Sequence, residues 1–144
     1  MRTGLAVAAI VMLGACQPAG EARVDHAWVR LAAVPGNPAA AYFTLHGGAK
    51  DETLTGVSTP DAAGADMHES TTQAGMASMA PLKLVALRAG GTVAFAPGGR
   101  HVMLYRLNPA VLASGTVPLT LTFASGRTLT TRARVVGAGD AAAE

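Results

Sequence analysis

The chain has 144 residues, 50% apolar, 14% charged and 4% aromatic, which suffices for one globular domain and leaves little for a second. Eleven basic residues stand against nine acidic ones, and one of the basic ones, Arg2, lies in the first segment. The near balance excludes an electrostatic surface for nucleic acid or anionic lipid, despite a pI near 9.1.

In chain order, Met1-Arg2 precedes an apolar run, Leu5 to Leu13 (LAVAAIVML). It is shorter than the roughly 18 residues that a membrane-spanning helix needs, so residues 1–15 read as a secretory signal peptide. Leu13-Gly14-Ala15-Cys16 resembles the bacterial lipobox, making Cys16 the lipidation candidate and 16–23 a tether. Ordinary cleavage near Ala15 or Ala19 would discard Cys16, but the product is exported in both cases. Gln17 after the cysteine points to the outer membrane. Cys16 is the only cysteine, so the exported domain is stabilised by an ordinary core rather than by disulfides.

Residues 24–136 alternate in the way that strands do. Ala41, Phe43 and Leu45 share a face, Leu119 to Phe123 alternates strictly, and Leu129, Thr131, Ala133 and Val135 oppose Thr130, Arg132 and Arg134. Pro35-Gly36-Asn37-Pro38, Gly47-Gly48, Gly90-Gly91, Pro97-Gly98-Gly99 and Ser125-Gly126 supply the turns. One helical turn fits Pro109 to Ala113. Many short strands with Gly/Pro turns predict a single all-β domain, a β-sandwich. Residues 137–144 (GAGDAAAE) read as a flexible tail.

Met67, Met76, Met79 and Met103 fall within 37 residues, together with His68 and His101. One or two methionines would be core filler; clustered with histidine they suggest a site. A straight strand would separate His68 from Met79 by roughly 36 Å. A hairpin centred on Gln73-Ala74, within the polar stretch Thr71 to Gly75, would bring them within one residue of register. His101 and Met103 share a strand face, with Val102 and Leu104 turned to the core. Thioethers favour Cu(I), and imidazole also suits Zn, Cu and Ni, so a Met/His set without carboxylate or thiolate points to copper. Without a thiolate, neither a blue-copper electron-transfer centre nor a thiolate-bridged dinuclear centre can form. Nor is there a base, a nucleophile or an open metal site with carboxylates, so the protein is not expected to be an enzyme.

The spacing of His68, Met79, His101 and Met103, H-x10-M-x21-H-x-M, resembles that of the bacterial periplasmic copper chaperones called PCuAC. Ala27-Trp28-Val29-Arg30, Pro35-Gly36, Ala40-Ala41-Tyr42-Phe43, Met67-His68-Glu69, Pro97-Gly98-Gly99, His101 to Leu104 and Val117 to Phe123 extend the likeness over residues 24 to 136. The resemblance implies a cupredoxin-like, immunoglobulin-like β-sandwich that binds one Cu(I) through His68, Met79, His101 and Met103. It also implies delivery of that copper to the dinuclear copper centre of a cytochrome c oxidase subunit, by a monomer in the periplasm anchored through a lipid on Cys16. The same site would serve copper buffering without an oxidase partner, and a metal-free, lipid-anchored interaction domain is the third reading. Some members of that family carry a Met/His-rich C-terminal extension, which is missing after Val136, so one copper site is expected.

Met67 is expected to point away from His68, and Met76 to serve packing. Glu69 is either an acceptor that orients His68 or a solvated side chain. Trp28, Tyr42 and Phe43 read as core or corner aromatics, His26 and His46 as surface residues, and Arg30, Arg132 and Arg134 as a solvated face. Copper affinity is expected to fall as histidines protonate near pH 6.5.

Overall fold

A computed structural model describes residues 20–140; the signal peptide, Cys16 and the last four residues lie outside it. Ten strands follow in sequence: β1 (Arg23–Arg30), β2 (Ala39–His46), β3 (Glu52–Ser58), β4 (Gly64–Gln73), β5 (Met76–Pro81), β6 (Val85–Leu87), β7 (Thr92–Phe95), β8 (Arg100–Tyr105), β9 (Thr116–Phe123) and β10 (Thr128–Val136). A single helical turn, α1 (Val111–Ser114), precedes β9, overlapping the turn predicted at Pro109 to Ala113. The first residues of the expected tail form a turn closed by Gly137 N–H donating to the Asp140 carboxylate at 2.9 Å.

All ten strands belong to one mixed sheet, ordered β5-β4-β8-β2-β1-β10-β9-β3-β6, with β7 also paired to β2. The β1–β10 pair is parallel and the other ladders are antiparallel. The sheet folds over on itself, so the predicted sandwich is made of one continuous sheet. Its enclosed face buries Val29, Phe43, Leu45, Leu54, Leu87, Val102, Leu104, Leu119, Leu121 and Phe123 in one core, each large side chain stabilising by about 1.5–3 kcal/mol. Alternation in the sequence dictates this directly. In β9, Val117, Leu119, Leu121 and Phe123 are buried while the intervening Thr116, Pro118, Thr120 and Thr122 are only half-buried.

Two features position the outer face. β1 carries a bulge: Asp25 pairs with Thr44 and Trp28 with Tyr42, so three steps on β1 match two on β2. His26 absorbs the extra residue with φ 49°. The bulge places both Asp25 and Trp28 on the outer face, which strict alternation would forbid. There Trp28, Tyr42 and Val136 form a second small cluster with Ala40, apart from the main core. Phe43 does enter the main core, stacked on Phe95 at 4.4 Å; Trp28 and Tyr42 do not, contrary to the simplest reading of the sequence. Arg30 lies over both of their rings, 4.9 Å from Trp28 and 5.9 Å from Tyr42.

Candidate metal centre

β4, β5 and β8 form one edge of the sheet, and the four candidate ligands are carried there. His68 pairs directly with His101 across the β4–β8 ladder. Their rings lie 5.9 Å apart between centroids and within 18° of parallel. Met103, two residues beyond His101, shares its face and stands between Asp66 on β4 and Ala40 on β2.

The β4–β5 turn is two residues, Ala74 and Gly75, with φ of 50° and 77°. Both central residues are left-handed, the requirement of a tight hairpin turn. Its centre falls one residue later than the midpoint read from the sequence. His68 therefore pairs with Pro81, and Met79 with Ser70. His68 and Met79 become diagonal neighbours on one face instead of near-opposite partners, still within reach of a long thioether side chain.

The local hydrogen bonds set which ring nitrogens are available. His101 Nδ1–H donates to the Gly99 carbonyl at 3.0 Å, and His68 Nδ1–H to the Asp66 carbonyl at 3.3 Å. A carbonyl can only accept, so both rings carry their proton on Nδ1 and keep the Nε2 lone pair for a ligand. Gly99 carbonyl also accepts Ser70 N–H at 3.0 Å, which ties the hairpin strand to the orientation of His101. The Pro97-Gly98-Gly99 turn, with Gly98 at φ 82°, aims that carbonyl.

Exposure is graded across the set: His101 is 5% exposed and Met79 is 53% exposed, with His68 and Met103 half-buried between them. The structure thus brings His68, Met79, His101 and Met103 to one face of one sheet edge.

The neighbours divide clearly. Met67 is buried in the main core, pointing away from His68 as expected. Met76 is 76% exposed at the turn, so the packing role expected for it is corrected; an odd spacing from Met79 also puts it on the other strand face. Glu69 does not orient His68. It lies 3.6 Å from Arg100, and backbone carbonyls do the orienting instead. The sequence signalled the Pro97-Gly98-Gly99 turn but not that its carbonyl would hold a histidine.

Residues 22–135 match the family described as "Putative lipoprotein LpqE-like". The chain belongs to the LpqE-like family. A relative described as "Putative lipoprotein Lxx21020", from Leifsonia xyli subsp. xyli, is 33% identical over 107 residues, covering 74% of this chain. The chain spans 64% of that relative's length. Among solved structures, the copper-bound PCuAC domain from PmoF2 superposes with a TM-score of 0.65 at 22% identity, over 84% of this chain and 97% of that one. The Cu(I) form of DR1885 from Deinococcus radiodurans gives a TM-score of 0.59 at 32% identity, over 85% of this chain and 82% of its own. This member of the LpqE-like family therefore has the PCuAC-like fold that its ligand spacing implied.

Proposed function

We propose that the protein is an exported copper carrier that holds one Cu(I) through His68, Met79, His101 and Met103. The observation that carries the reading is the convergence of two thioethers and two Nδ1-protonated imidazoles on one open sheet edge. Soft, neutral ligands of this kind favour Cu(I) over hard divalent ions. Support also comes from the copper-bound state of the PmoF2 domain and the Cu(I)-bound state of DR1885. No thiol takes part, so a disulfide cannot disable the site in an oxidising compartment; oxidation of a methionine to its sulfoxide would weaken it.

Release would begin at Met79. It is the most exposed ligand, and it sits on β5, an edge strand whose only ladder is with β4, where local opening is cheapest. His101, buried and held by Gly99, would let go last. An acceptor approaching this edge exchanges its thiolates for thioethers, a downhill transfer for Cu(I). The dinuclear copper centre of cytochrome c oxidase is the acceptor we propose, with lipidated Cys16 tethering the domain to the outer membrane on its periplasmic side. The lipoprotein description of the family favours such an anchor. The role is carriage, with no catalytic step.

The test is a Cu(I) competition titration of wild type against Met79→Ala and His101→Ala. Wild type is expected to retain one equivalent, and unchanged titrations in both variants would refute the ligand set. Trp28, the only tryptophan, lies two strands from β8, roughly 10 Å away, so its fluorescence should report loading independently. For delivery, a deletion strain is expected to lose oxidase activity and regain it with added copper. Copper sensitivity with a normal oxidase would instead indicate buffering.

A further inference from the structure

A second group of metal-ligating side chains lies on the same outer face, at the far end of β1 and β2. His26 Nδ1 and His46 Nε2 both approach a single oxygen of Asp25, Oδ1, at 2.9 and 3.0 Å. Arg23 holds the other carboxylate oxygen at 2.5 Å. The residues are brought together by the register in which Arg23 faces His46 and Asp25 faces Thr44. His46 is six residues along β2 from Ala40, the neighbour of Met103, a separation of roughly 20 Å. The pair is therefore separate from the Met/His centre.

We infer that His26, Asp25 and His46 form a second metal site, selective for a divalent late transition ion, Cu(II) ahead of Zn(II). The donor set is two imidazoles and a carboxylate, harder than the Met/His centre and free of thioether. Cu(II) exceeds Zn(II) in affinity for such donors. The spacing also fits. With metal–ligand bonds near 2.0 Å, adjacent donors lie about 2.8 Å apart around a square-planar ion and about 3.3 Å apart around a tetrahedral one. The observed nitrogen–oxygen separations fall between the two.

The backbone supports the same reading. His26 is a non-glycine residue held at φ 49° in the bulge, a strained conformation that tends to mark functional positions. That conformation turns its imidazole onto Asp25. The side chains remain accessible, His26 75% exposed and His46 26%, which leaves coordination positions open to water.

At present the three groups hydrogen-bond to one another, and no cluster of three or more His, Cys, Asp or Glu among the described residues is already opened as a cage. A cation would take the place of the bridging protons. Each neutral ring then moves its proton to its other nitrogen, and a protonated ring releases one, so binding weakens on acidification. Arg23 opposes the cation, by occupying the carboxylate and by its own charge.

The experiment uses the full chain carrying His101→Ala, so that failure of the Cu(I) site assignment cannot imitate failure of this one. Aqueous Cu(II) and Zn(II) are titrated and the Cu(II) form examined by electron paramagnetic resonance. The parent is expected to bind one Cu(II) with nitrogen hyperfine structure from two imidazoles. His46→Ala and His26→Gly are each expected to lose about tenfold or more in affinity. Glycine tolerates the positive φ, so His26→Gly keeps the fold whatever happens to the metal. Arg23→Gln is expected to strengthen binding several-fold. Full retention of Cu(II) by both histidine variants, or no bound equivalent in the parent, would overturn the proposal.

Discussion

Two histidine pairs occupy the same outer face, and they differ in what their other atoms touch. His68 and His101 each give Nδ1–H to a backbone carbonyl, which fixes the tautomer without adding charge and leaves two neutral donors beside two thioethers. His26 and His46 both turn to the Asp25 carboxylate. The residue type is the same, but one pair is prepared for a soft monovalent ion and the other is bound to a hard anionic oxygen. The backbone partner, more than the histidine itself, decides the chemistry offered.

The largest expected effect separates the pairs directly. His101→Ala removes the buried ligand of the first pair and should weaken Cu(I) by on the order of a hundredfold, at least the upper end of what losing an outer partner costs. His46→Ala should leave Cu(I) affinity within experimental error, as a competition titration of both variants would show. Equal losses would mean that the two pairs act as one site.

A smaller effect tests the carbonyl that orients His101. Gly98 sits at φ 82° with open space where a Cβ would go, so Gly98→Val strains the backbone alone, by roughly 1–2 kcal/mol. If the turn relaxes, the Gly99 carbonyl swings away from both Ser70 N–H and His101 Nδ1–H. About a tenfold loss of Cu(I) affinity is expected, together with a lower melting temperature. A lower melting temperature with intact affinity would show that His101 is held by its burial alone.

How much of this was legible in the sequence follows the physics of each element. His101 and Met103 share a face because strand period two is a local property. The β4–β5 hairpin was legible from its polar turn, but its register was not: Ala74 adopts the left-handed conformation alongside Gly75, and alanine gives no sign of it. The bulge at His26 was equally silent, since no glycine marks it. Without the bulge the face of Trp28 is misassigned, and the contact between His26, Asp25 and His46 cannot be foreseen across twenty residues of chain. The outer cluster of Trp28 and Tyr42 was read as core because aromatic residues favour a strand on either face.

The smallest effect belongs to acidity and isolates the second pair. Burial pushes the Asp25 carboxyl upward, but hydrogen bonds from His46, His26 and Arg23 outweigh it and hold the group below its ordinary value of 3.8. A carboxyl whose folded value is depressed contributes stability that is fully present above its unfolded value and is lost as pH falls through the folded one. Unfolding by urea should therefore show a constant contribution from Asp25 above about pH 4 and a declining one below it. Because the carboxylate is about a third exposed, solvent screening limits the effect to less than about 1 kcal/mol. Asp25→Asn should flatten that acidic limb while leaving Cu(I) affinity unchanged, since Asp25 is tied to the far end of β2. A steep limb that persists in Asp25→Asn would assign it to other carboxylates, of which Asp51, held low by Ala89 N–H and Arg88, is the next to substitute.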